Sequence, residues 1–414
     1  MSYPRGTTRT PARPDSAPTS NKLTFWLLLV ALILLATNMR APIVALGSIA
    51  PVISEALSLS AMQIGWLGAL PMLSFAIGSF ISPALGRRYG LENTLIVMIA
   101  LMTVGLLLRV LWVSWIGFFV GTAVLTLAIG FANTLAAPII KAHASKHIAL
   151  FTGVLSLTMT ITAGVAAGSV LPISNTLGWQ WALGIWAALS VAAFVVWLWL
   201  KRQLGTAAKR PTHTTSTASL SMWRLPIAWQ IAIFMGIQSL LFYTVASFLP
   251  SIWLSKGLSA ISAGQMGSVF QFMGPIAIIS ITWLMNRRGM LRFLAVTAAL
   301  CNVAGVAGIL LFSTQLAWLW SALMGLGCAA IFTLSIMLFS LRTHTPEQSS
   351  TLSGMAQSVG YLIAFFGPLG SGWLHELTGS WQLALWLMLA FMVVNVVLAW
   401  QISRPLMVDG ERMP

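Results

Sequence analysis

A chain of 414 residues with 58% hydrophobic and only 7% charged side chains, at a mean hydropathy of +0.90, lacks the polar shell of a water-soluble domain, which carries roughly 25% charged residues. Its net charge of +15 comes from Lys and Arg set in small groups between apolar runs, so no basic, aromatic-interleaved surface for nucleic acid is present. Cys301 and Cys328 both fall inside apolar runs, and neither a disulfide framework, a metal site nor a cofactor is expected.

Residues 1–22 carry Arg5, Arg9, Arg13 and Lys22 among Pro, Ser and Thr and read as a disordered tail. Apolar runs of membrane-spanning length then follow at 23–49, 62–83, 93–112, 115–138, 150–172, 181–200, 226–249, 263–285, 292–312, 316–341, 351–373 and 382–403. The first is too long for a cleaved signal and reads as a retained helix. The pattern predicts an all-α membrane protein of twelve transmembrane helices. A Thr-, Ser- and Ala-rich linker at 201–225 separates a six-helix bundle at 23–200 from another at 226–403, and 404–414 forms a second tail. Both halves place a short basic loop between their second and third helices, Gly86-Arg87-Arg88-Tyr89-Gly90 and Asn286-Arg287-Arg288-Gly289, a weak trace of duplication.

An even number of spans puts both termini on one side, and 19 of the 22 Lys and Arg fall there. That side is expected to be the cytoplasm, and the lipid a bacterial inner membrane. The exceptions are Arg40, Arg109 and Lys256. Arg40 lies about 25 Å into the first run at ~1.5 Å per residue, too deep to reach water by snorkelling. An intramembrane Arg costs at least about 2.5 kcal/mol, so Arg40 should face the bundle interior, with Pro42 free to bend the helix beside it. A planar fork of donors there suits an anion or nitro group; packing against backbone carbonyls is the plainer alternative. Arg109, three residues before Trp112, is expected to reach the headgroups, with an inward turn as the alternative.

No acid falls centrally in a span and all five His lie outside the spans, which disfavours a protonatable relay and points to exchange, facilitated movement, or a solute that carries its own proton. Asn38, Asn133, Gln238, Tyr243, Gln357 and Tyr361 supply polar candidates for a central solute site with Arg40; Gln357 and Tyr361, at i and i+4, share a helix face. Trp66, Phe242 and Phe272 are candidates for stacking on a flat solute, although most of the 19 Trp should be interface anchors. Arg87 and Arg88 are candidates for gating. Neither a phosphate-cradling loop nor a nucleophile elbow or metalloprotease motif occurs, so no enzymatic part is expected and the driving force must be a gradient.

The double six-helix pattern with its basic second-to-third-helix loops resembles the major facilitator superfamily, whose loop reads Gly-x-x-x-Asp-x-x-Gly-Arg-Arg. Arg87 and Asn286 stand where that pattern has aspartate. Asn38-Met39-Arg40-Ala41-Pro42, Leu70-Pro71 and Arg109 resemble its cyanate and 2-nitroimidazole permease family. Trp223 to Gln230, Gly236-Ile237-Gln238-Ser239-Leu240, and Ser353 to Tyr361 are similar to the 2-nitroimidazole branch. The resemblance implies twelve helices, alternating access, and a small planar or anionic solute carried by a monomer. Rival readings are a broad-specificity drug efflux carrier and a non-transporting membrane receptor or scaffold; a longest loop of about 25 residues leaves the last without an output domain.

Overall fold

The computed structural model describes residues 22–59, 61–204, 222–287 and 289–410; the tail before Lys22, most of the linker, Arg288 and the last four residues lie outside it. In the first half, α1 spans Lys22–Ser48, a short α2 Ala50–Ala56, α3 Ala61–Tyr89, α4 Leu91–Leu111, α5 Trp115–Ala144, α6 Ile148–Leu177 and α7 Trp179–Leu204. In the second half, α8 spans Pro226–Ser255, α9 Ala260–Leu284, α10 Met290–Leu311, α11 Ala317–Leu341, α12 Pro346–Thr378 and α13 Gln382–Ile402. Twelve of these have the length to cross a bilayer, and the apolar spans among the described residues number eleven because α5 and α6 run on as one from Trp115 to Leu177. Backbone groups with no water available must be satisfied within the protein, and the helix does this for all but the few carbonyls that an internal proline leaves without a donor. The face on which α1 begins and α13 ends is the tail face; the other is the far face.

Nine of the twelve long helices run longer than the apolar windows that predict them. α3 continues through Gly86, Arg87, Arg88 and Tyr89, so the expected loop is a last helical turn, and the chain reverses at Gly90, whose φ of 90° suits a residue without Cβ. His143 and His375, expected outside the spans, sit in the last turns of α5 and α12. The segment after α13 folds back: Arg342 donates to the Ile402 and Leu406 carbonyls, and Val408 N–H returns a 2.9 Å bond to the Arg342 carbonyl. Burial holds the Arg342 guanidinium down to about 10.

Packing repeats between the halves. α1 lies against α6 and α7 as α8 lies against α12 and α13; α4 lies against α5 and α7 as α10 lies against α11 and α13; α3 meets α5 as α9 meets α11. Across the boundary α12 meets α3 and α5, and α6 correspondingly meets α9 and α11. With lipid as apolar as Leu, such contacts depend on close approach, and small residues permit it. A Cβ on Gly105 of α4 would lie 2.6 Å from Leu125 N and 2.8 Å from the Gly121 carbonyl of α5; its counterpart Gly305 of α10 faces the Trp320 carbonyl of α11 at 2.9 Å.

The boundary is asymmetric. On the tail-face half, Gly153 of α6 abuts Thr282 of α9, and a Cβ on Gly354 of α12 would lie 2.8 Å from the Ser79 carbonyl of α3. On the far half, Gly47, Gly68, Gly164, Gly168 and Gly264, on the helix faces turned to the boundary, have nothing within 4 Å of such a Cβ. The two bundles therefore meet on the tail side and part toward the far face.

Gly105→Ala is expected to lower the melting temperature of the purified protein by several degrees, as overpacking of about 1–3 kcal/mol does. Gly47→Ala, with open space around it, should leave the temperature unchanged or slightly higher. Equal effects of the two would show that close approach of α4 and α5 does not hold the bundle together.

Candidate functional site

Arg40 stands about two-thirds of the way along α1, half-buried, with its guanidinium 4.7 Å from the centre of the Phe242 ring on α8 in the other bundle. A cation over an aromatic face gains ~0.5–2 kcal/mol, which offsets only part of the desolvation that an intramembrane charge suffers. Among the described residues it has no hydrogen-bond acceptor and no carboxylate, yet its nitrogens are not sealed from free space. A guanidinium in that condition keeps donors free for a visiting acceptor.

Aromatic rings surround it. Phe242 packs edge-on against Tyr243 at 5.3 Å and tilted against Phe270 of α9 at 5.7 Å, and the Tyr243 hydroxyl lies within electrostatic reach of Arg40. Tyr361 of α12 comes within the same reach and packs at 5.1 Å on Phe75 of α3, across the bundle boundary. Gln357, one turn from Tyr361 toward the tail face, spends both amide hydrogens, on the Asn133 carbonyl of α5 at 3.1 Å and on Ser353 Oγ at 2.8 Å. Arg40, Tyr243, Gln357 and Tyr361 thus lie near one another at mid-depth, and Asn133, expected for its side chain, meets them through its main-chain carbonyl. Phe75 has no distinguishing sequence signal, being one Phe among 20.

Below this cluster a ladder of cross-bundle bonds descends to the tail face. Ser353 Oγ donates to the Thr134 carbonyl at 3.0 Å and Ser340 Oγ to the Ala137 carbonyl at 3.0 Å. Lys141 Nζ donates to the Ser340 carbonyl at 2.6 Å and also to the Thr343 carbonyl, capping the C-terminal end of α11, where the helix dipole favours a cation. The basic group that reaches across is therefore Lys141. Arg87 and Arg88, expected as gating residues, are exposed, and Arg88 lies over the neighbouring Tyr89 ring at 5.3 Å. They reach no carboxylate among the described residues because α3 carries them past the end of the closure.

Four other expectations change. Arg109 does not reach the headgroups: it is 1% exposed, donates to the Pro42 carbonyl at 3.3 Å, and lies 5.0 Å from the Phe118 ring. Gly121 leaves room for its stem between α4 and α5, which draws it inward. Asn38 is fully buried and donates to the Leu34 carbonyl of its own helix at 2.8 Å; it shares a face with Pro42 at i+4, turned about 200° from Arg40. Gln238 is buried inside the second bundle, accepting from Ser239 Oγ at 3.2 Å and lying against Cys328 of α11. Trp66 and Phe272, 50% and 72% exposed, sit on outer stripes with Leu73 and Ile77, and with Ile276 and Ile279, so they face away from the central cluster.

The arrangement has two helical bundles, an unpaired cation at their boundary, and closure on one side only. Residues 26–368 match the model of the Major Facilitator Superfamily. This chain belongs to the major facilitator superfamily. It is 32% identical over 91% of its length to an uncharacterized transporter, YycB, of Bacillus subtilis (strain 168), covering 93% of that protein. It is 33% identical over 86% of its length to the 2-nitroimidazole transporter of Escherichia coli (strain K12), covering 90% of it. A superfamily proton:xylose symporter, XylE, solved with 6-bromo-6-deoxy-D-glucose, shares the fold at a TM-score of 0.76 and 13% identity, over 92% of this chain and 96% of that one. The protein is thus a multi-pass membrane transporter and not an enzyme.

In this transporter Arg109 Nε and Nη2 are buried without partners, so its charge is a burden on the fold. Arg109→Met should hold or raise the melting temperature by a few degrees in detergent. A fall beyond about 5 °C would mean that the Pro42 bond and the Phe118 contact outweigh desolvation.

Proposed function

We propose that this transporter carries a small planar or anionic solute, a cyanate-like anion or a 2-nitroimidazole-like compound, by alternating access as a gradient-driven secondary carrier. The observation that carries this reading is the Arg40 guanidinium, stacked on Phe242 at 4.7 Å without a hydrogen-bond acceptor among the described residues. A planar acceptor with two oxygens complements the guanidinium fork, and a flat ring complements Phe242, Tyr243 and Tyr361. The similarity to a 2-nitroimidazole transporter points the same way.

The Lys and Arg bias supports a tail face in the cytoplasm of a bacterial inner membrane, and in that orientation the far face opens outward. The unit of transport is the monomer, since the cluster is complete within one chain. With no carboxylate near Arg40 among the described residues, coupling comes through exchange of anions, facilitated movement, or a proton borne by the solute. The efflux reading needs a wide aromatic interior, and Trp66 and Phe272 face away from the cluster, which favours the narrower solute.

Proteoliposomes loaded with purified protein test this with labelled cyanate and 2-nitroimidazole. Arg40→Gln should insert normally and weaken solute binding about 10–100-fold, the worth of charge-assisted hydrogen bonds, while Arg40→Lys keeps part of the uptake. Wild-type uptake by Arg40→Gln would remove the guanidinium from the mechanism.

A further inference from the structure

The ladder between α5 and α12 originates in one residue. Pro138 lies inside α5 and brings no N–H, so the Thr134 carbonyl, four residues earlier, has no intrahelical donor. Thr134 is fully buried, and a buried carbonyl without a donor is strongly disfavoured. Its donor is Ser353 Oγ at 3.0 Å, from the other bundle. The neighbouring Asn133 carbonyl differs: Ala137 can supply the ordinary helical amide, so the 3.1 Å bond from Gln357 is an additional one. Both Gln357 amide hydrogens are already engaged, so a solute acceptor can take one only by displacing an existing partner.

We propose that Pro138 and Gln357 are positioning residues that couple the central site to the tail-side closure. Pro138 creates an acceptor that only the closed boundary satisfies, and Gln357 extends the same contact into the solute site. A solute that draws a Gln357 hydrogen toward Arg40 releases the Asn133 rung, which leaves its carbonyl still paired within α5. The Thr134 rung then opens only as water enters to replace Ser353. The second half of this coupling rests on the proposed transport reading; the role of Pro138 in the closure does not.

The full chain in membranes tests both parts. A Gly68→Cys reporter, on the open far half of α3 and on the same helix face as Phe75, is labelled with a membrane-impermeant maleimide, with the parent chain correcting for Cys301 and Cys328. Pro138→Ala gives Thr134 its own amide and Ser353→Ala removes the donor. Each should slow ligand-free labelling about fivefold by weakening the closure, as loss of one net hydrogen bond does. Combined, they should slow it no further than the larger single effect, since both act on one carbonyl. Independent, multiplicative effects, or labelling unchanged in Ser353→Ala, would overturn the assignment of Pro138.

Saturating 2-nitroimidazole should slow labelling in the wild-type background and have no effect on Gln357→Leu. A wild-type response in Gln357→Leu would overturn its coupling role. Failure of 2-nitroimidazole to affect any background or to be taken up would count against the transport reading, while the ligand-free comparison would still judge Pro138.

Discussion

A guanidinium held at mid-depth between two helical bundles, with an aromatic face as its main support, sets the terms for the rest of the molecule. Arg40 cannot retreat to water along a helix that continues to Ser48, and the protein supplies it with no carboxylate among the described residues. Its position at the bundle boundary means that stabilisation from Phe242 depends on the two halves staying close at that level. The charge is thus tied to the relative placement of the bundles. That tie is what a carrier needs if the occupant of the site is to influence which face opens.

The closure below the charge uses a different kind of interaction. Its acceptors are main-chain carbonyls of α5 at Asn133, Thr134 and Ala137, and its donors are Gln357, Ser353 and Ser340 from the second bundle. Lys141 ends the series on α11. The superfamily's usual aspartate is replaced by Arg87, and the lysine cap gives the tail side a polar fastening without it. Hydrogen bonds of this type contribute about 1 kcal/mol each, enough to bias two arrangements and too little to fix one.

Much of the architecture was legible in the sequence because hydrocarbon imposes a length and polarity rule on every span. The twelve helices, the two halves and the depth of Arg40 follow from that rule. What it leaves undetermined is the azimuth of each side chain. Asn38 and Arg40 are two residues apart and so face opposite ways, and only the contacts of α1 decide which one meets the second bundle. Trp66 and Phe272 are as aromatic as Phe242 but belong to outward stripes. Arg109 lies near enough to a helix end for snorkelling, and Gly121 on the adjoining helix drew it inward, a fact carried by a residue twelve positions away. Pro138 was visible all along as a proline within a span; its meaning required knowing that Ser353 stands opposite.

The bare glycine backbones of the far half have a thermodynamic side. Gly47, Gly68, Gly164, Gly168 and Gly264 offer main chain and no side-chain donor, so a seal formed over them would consist of dispersion contacts, with little hydrogen-bond enthalpy. The two sides of the carrier would then be fastened by chemistries with unlike heats. Warming the membrane would by itself redistribute the population between its two openings, making temperature an input to the transport cycle independent of any solute.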